Sequence, residues 1–177
     1  MPERDYLGAV RERVVVFDGG MGATLEQFDL TSEDYGGLQG KCHEALVLNR
    51  PDVIQGLHEA MLEAGAEVVE TDTFQASRLK LEEWGLGAET PEINRKAAEI
   101  ARKAAGPDRF VAGSIGPTGF LPSSDDPTLG DISFRRLVEV FEEQARGPPV
   151  LCRRPARRQF SRASVPVPPG TFSWRPA

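Results

Sequence analysis

The chain has 177 residues, 40% apolar and 27% charged, with a formal net charge of -6; that is room for one domain with a real core, at a composition ordinary for a soluble globular protein. The acidic balance argues against a nucleic-acid surface, no apolar run is long enough to cross a bilayer, and residues 1–5 lack the basic-then-apolar pattern of a secretory signal, so neither nucleic acid nor membrane is expected as a partner. Two cysteines, Cys42 and Cys152, cannot build a disulfide framework, and a reducing, cytoplasmic setting is the expectation.

Val14-Val15-Val16-Phe17 reads as a short buried strand stopped by Gly19-Gly20. Gly22 to Phe28 begins a helix, and polar, Gly-rich Thr31 to Gly40 is a loop. Asn49 stands near the N-cap of a helix with Pro51 in its first turn; Val53, Leu57, Ala60, Met61 and Ala64 carry it to a stop at Gly65. Glu67 to Thr71 is a second strand. Ala76 to Trp84 is a short helix ending at Gly85, with Leu81 and Trp84 as packing residues. Thr90-Pro91-Glu92 starts a helix carried by Ile93, Ala97, Ile100, Ala101 and Ala104 to Gly106. Arg109 to Ser114 is a third strand centred on Phe110-Val111-Ala112. A loop runs from Gly116 to Asp131, and Ser133 caps a last helix through Phe134, Leu137, Val138 and Phe141. This alternation is α/β with a parallel sheet; three βα units alone do not separate a barrel from an open, doubly wound sheet.

From Arg146 to Ala177 the composition changes: seven Arg, seven Pro and no Asp, Glu or Lys, so the tail carries +7 and the body before it -13. Residues 1–146 and 147–177 are therefore read as separate units, the second as a basic, disordered tail.

In either architecture, ligands sit beyond the carboxyl ends of the strands. That rule selects Asp18 to Thr24, Glu70 to Phe74 and Ser114 to Gly119. Asp18 closes an apolar strand, where a carboxylate is costly without a partner. Two readings stand: it meets a ligand ammonium, or it caps the helix and braces the turn. Gly19 and Gly20 let backbone N–H groups approach a ligand carboxylate. Thr71 and Thr73 either point into one site or are ordinary strand-end threonines. The Gly-rich turn is neither a dinucleotide fingerprint, because Leu25 stands where the third glycine belongs, nor a phosphate loop. Cys42-His43 lacks the spacing of a zinc site, and His58, in mid-helix, reads as structural.

Four segments in order then carry a resemblance: Asp18 to Leu25, Leu48 to Ile54, Glu63 to Phe74 and Gly113 to Gly119. Together they resemble the opening of the homocysteine-binding domain of the homocysteine S-methyltransferase family, on its cobalamin-dependent branch, from about Val14 to about Gly147. The resemblance implies a (β/α)8 barrel of which about three βα units are present. It implies methyl transfer to homocysteine to give methionine, on a thiolate held by zinc through three cysteines. The donor would be methylcobalamin or a methyl-folate, brought by cobalamin- and folate-binding domains or subunits. It implies homocysteine binding by Asp18 (ammonium), Gly19 and Gly20 (backbone) and Thr71 (hydroxyl).

The family's zinc cysteines and its later glutamate have no counterpart in this sequence, and Cys152 lies in the unmatched segment, so no metal ligand is assigned and no catalytic residue is present. The expectation is a truncated, inactive methyltransferase domain. The Arg- and Pro-rich tail suits a frameshifted reading of a GC-rich gene. The alternative is a non-catalytic binding module whose basic tail contacts an anionic partner such as RNA or a membrane.

Overall fold

Val68 and Val69 continue into Glu70, and Phe110, Val111 and Ala112 run beside them. These two β-branched and aromatic triplets form β1 (Val68–Glu70) and β2 (Phe110–Ala112), paired in parallel with Val69 opposite Val111. The structure is a computed structural model and describes residues 6–38, 40–121 and 132–146. In chain order the helices are α1 (Tyr6–Glu12), α2 (Met21–Leu25), α3 (Leu46–Asn49), α4 (Pro51–Glu63), α5 (Arg78–Glu82), α6 (Thr90–Ala105) and α7 (Phe134–Ala145). One 3-10 turn, His43–Ala45, leads into α3, and another, Gly87–Glu89, leads into α6. None of these helices is long and apolar enough to cross a membrane. The fold is mixed α/β around a small parallel sheet. The tail, residues 147–177, and most of the loop expected over Gly116 to Asp131 lie outside the described residues.

The sheet's two faces are covered differently. Val69 and Val111 pack on Ala101 and Ala105 of α6, with Leu62 of α4 beside them. Each fully buried valine contributes roughly 2 kcal/mol there. On the other face Val68, Phe110 and Ala112 meet Tyr6, Ala9 and Val15. Tyr6 stands edge-on to both Phe17 and Phe110, with centroids 6.2 and 5.4 Å away. Helix α1, for which the sequence reading had no element, thus closes this face.

The segment expected as the first strand differs from expectation. Residues 14–17 lie parallel to β1 but join it through one bridge, Phe17 to Val68, fixed by Val68 N–H to Val16 O (3.2 Å) and Asp18 N–H to Val68 O (2.9 Å). They are not buried: Val14 is 85% exposed and Val16 50%. Side chains alternate along a strand, so Val15 reaches the α1 side while Val14 and Val16 face outward, where no described element packs.

Helix starts follow the sequence signals. Ser133 accepts from Arg136 N–H, and Ser77 from Lys80 N–H. The start of α4 is a correction. Arg50, not Asn49, holds the N-cap position; Asn49 ends α3, and its side-chain amide turns back to donate to Ala45 O (2.9 Å). The buried stripe of α4 is also rotated: Ile54, Leu57 and His58 are inside, whereas Ala60 and Ala64 are exposed. In α7, Leu137, Val140 and Gln144 are inside; Phe134 and Val138 stay exposed. Arg78 and Glu143 tie α5 to α7 by a two-pronged ion pair, Nε to Oε2 at 2.8 Å and Nη2 to Oε1.

Candidate functional site

Residues 14–18, β1 and β2 run parallel, so their carboxyl ends share one side of the sheet. Asp18 leaves the first of these segments there. Its carboxylate oxygens lie 3.1 and 3.0 Å from the backbone N–H of Glu70, which donates to them. Asp18 is half-buried, and no side-chain cation pairs with it among the described residues. Burial pushes its pKa up to about 6; the Glu70 charge adds to this, and the Glu70 N–H opposes it. The Glu70 carboxylate accepts from the Ser114 hydroxyl at 3.1 Å, so the mouth is acidic on two adjacent segments.

Gly19 and Gly20 follow and are exposed. Gly20 has φ +23°, ψ 54°, and its carbonyl accepts from both the N–H (2.9 Å) and the hydroxyl (3.0 Å) of Thr24, which fastens the turn. The N–H groups of residues 19–22 donate to no described group, so they are free to meet an anion. Helix α2 is only five residues long, and the backbone turn rather than a helix dipole supplies the positive end.

Thr71 is buried, and its hydroxyl is already engaged. Ser114 N–H donates to Thr71 Oγ1 (3.0 Å), the Thr71 and Thr73 hydroxyls are 2.6 Å apart, and Thr73 Oγ1 donates to Ser114 O (2.8 Å). The structure therefore brings Asp18, the Gly19-Gly20 turn and Thr71 to one end of the sheet, and joins Thr71 with Thr73.

Two further carboxylates lie at this end: Asp72, inside the selected segment Glu70 to Phe74 but given no role there, and Glu44, which the sequence reading did not select. Glu44 is buried and accepts from Gln75 N–H at 2.7 Å. Asp72 is buried with Oδ2 unpartnered; burial, and then the Glu44 charge, push its pKa up to about 8. The available signal was Glu44 itself, a charged residue between Cys42 and the apolar run Ala45-Leu46-Val47-Leu48. Above the strand ends Phe74, Ile115, Phe120 and Leu121 are exposed. Gly116 lies so close under Phe74 that a Cβ there would overlap the Phe74 carbonyl oxygen and ring.

The residues present do not fit a zinc ion. Among the described residues no three His, Cys, Asp or Glu side chains are grouped to hold a metal. Cys42 is buried in an apolar cluster, where burial pushes its thiol up to about 12, so it is no ready thiolate. Its neighbour His43 turns instead toward Glu26, with Nε2 3.5 Å from Oε1.

Residues 15–156 match the family model described as homocysteine S-methyltransferase. The chain is 37% identical over 151 residues to a methionine synthase of Mycobacterium tuberculosis, an alignment covering 82% of this chain and 12% of that protein. Its fold is similar to the homocysteine methyltransferase MmuM from Escherichia coli. For the oxidized form the TM-score is 0.52 at 28% identity, over 66% of this chain and 42% of that one. For the metallated form it is 0.50 at 27% identity, over 63% and 41%. The chain thus spans about an eighth of the methionine synthase and less than half of MmuM.

Proposed function

We propose a function for this chain from one premise: it belongs to the homocysteine S-methyltransferase family. The chain contributes the amino-acid end of a homocysteine site, and its sheet corresponds to the first three βα units of a (β/α)8 barrel. The ligand ammonium meets the Asp18 carboxylate and the carboxylate meets the N–H groups of the Gly19-Gly20 turn, with Thr71 beside them. The homocysteine sulfur would then point toward the rest of the barrel. There, having given up its proton, the sulfur attacks as a thiolate and forms its bond to the methyl carbon as the bond between methyl and donor breaks, giving methionine and the demethylated donor.

The donor, methylcobalamin or a methyl-folate, belongs to other domains or subunits, and the setting is the cytosol. Because the residues present do not fit zinc, no step through the metal is assigned to them, and this chain alone is expected to bind without turnover.

One observation carries this reading: Asp18 is a half-buried carboxylate, oriented by a backbone N–H and without a cation of its own among the described residues, next to a turn whose N–H groups donate to no described group. An amino acid supplies both missing charges. Calorimetric titration of homocysteine into the 177-residue chain tests it. The expected result is binding in the roughly millimolar range or tighter, weakened about tenfold or more by Asp18→Asn. No binding, or equal binding by Asp18→Asn, overturns the reading.

A further inference from the structure

The hydroxyl groups of Thr71 and Thr73 have a direction that follows from counting protons. A threonine hydroxyl has one proton to donate and two lone pairs to accept with. The Thr73 proton goes to Ser114 O, a carbonyl that can only accept. The 2.6 Å contact between the two hydroxyls must therefore use the Thr71 proton. Thr71 Oγ1 also accepts from Ser114 N–H, and the Thr71 backbone N–H is spent on Ala112 O at 2.8 Å. Three residues at the ends of β1 and β2 thus form a closed ring of donors and acceptors, buried at Thr71 and Thr73.

We infer that Thr73 is a positioning residue that sets the polarity of the site: by holding the Thr71 proton it leaves Thr71 only a lone pair to offer a ligand. This rests on the reading that Asp18 and Thr71 take the amino-acid end of homocysteine. Asp18 and Thr71 then present acceptors alone, which suits an ammonium and repels a carboxylate. The substrate is held in one orientation, with its carboxylate confined to the Gly19-Gly20 turn. Without the Thr73 hydroxyl the Thr71 proton is released, and Thr71 can donate to a carboxylate as readily as accept from an ammonium.

The test compares two ligands on the whole chain: homocysteine and its deaminated analogue, 4-mercaptobutanoate. Wild type is expected to favour homocysteine by about tenfold or more. Thr73→Val keeps the side-chain volume and should reduce that preference several-fold, while Thr73→Ser should restore most of it. General loosening of the fold would weaken both ligands alike and leave their ratio unchanged, so the ratio isolates the relay. Should Thr73→Val fail to fold, Thr73→Cys replaces it, since a thiol is too weak an acceptor to hold the Thr71 proton. An unchanged ratio in the folded Val or Cys variant overturns the role of Thr73 while leaving the homocysteine site standing. No binding of homocysteine by wild type overturns both.

Discussion

Asp18 takes its orientation from Glu70: one backbone N–H in β1 donates to both of its carboxylate oxygens, at 3.1 and 3.0 Å, across the only bridge that joins residues 14–17 to the sheet among the described residues. The pairing fixes where the charge points but does not neutralise it. Ionised Asp18 is what an ammonium requires, and its pKa is pushed up to about 6. Homocysteine affinity should therefore climb as pH rises through about 6 and then level, and Asp18→Asn should flatten that profile. Stability runs the other way. The folded-state pKa lies above the unfolded value, so Asp18 supports the fold fully below about pH 4, and that support is lost as pH rises through 6. Urea unfolding at neutral pH should thus find Asp18→Asn at least as stable as wild type; a clearly less stable variant would mean that Asp18 chiefly braces the turn.

Asp72 gives a second pH dependence with the same sign and a later window. Its pKa is pushed up to about 8, first by burial and then by Glu44, so its contribution is full below the unfolded value and falls as pH rises through 8. Asp72→Asn should be about 1–3 kcal/mol more stable than wild type near pH 9, with the gap closing toward pH 5. Denaturant titrations across that range check it, and a constant gap would count against Asp72 as its source.

His58 pulls in the opposite direction. It is fully buried in α4, neither ring nitrogen has a described partner, and burial lowers its pKa to about 4. The unfolded chain takes up the proton first, so stability falls as pH drops from about 6.5 toward 4. His58→Leu should remove that fall and add about 1 kcal/mol at neutral pH, because an apolar side chain leaves no ring nitrogen to satisfy. Equilibrium unfolding near pH 5 and pH 7 distinguishes this from a packing role, in which the variant would be weaker at both.

The segment 14–17 carries a solubility prediction. Val14 and Val16 are exposed on a strand-like segment whose outer edge is unpaired among the described residues. Such an edge invites pairing with another chain. Val14→Lys and Val16→Lys should lower light scattering and binding of apolar dyes while changing unfolding free energy by less than about 0.5 kcal/mol. Unchanged scattering would place the sticky surface elsewhere, for instance at Phe134.

Much of this was readable where local signals agree. Ser133, Thr90-Pro91 and Gly106 punctuate α7 and α6 where expected, and Val68-Val69 and Phe110 to Ala112 are strands where their β-branched and aromatic residues predict them. Asp18 was legible as a charge at the end of an apolar run. What escaped depends on contacts distant in sequence. The stripe of α4 was misplaced because Ile54 and His58, rather than Ala60 and Ala64, meet neighbouring elements. Glu44 and Asp72 are buried because residues 42–45 fold onto residues 72–75, held by Gln75 N–H, and no periodicity encodes that. The exposed face of residues 14–17 was read as buried because an apolar run does not say whether a neighbour will cover it.

Tyr6 also determines when the sheet can be finished. Its ring meets Phe17 nearby in sequence, but its contact with Phe110 joins positions roughly a hundred residues apart, and that loop must close before the contact gains anything. During synthesis α1 emerges before β2 yet cannot dock fully until β2 has followed. The helices from α3 to α6 can collapse on one another in the meantime. The side of Val68 that faces α1 is therefore completed only once β2 has joined the sheet, so an early helix waits on a late strand.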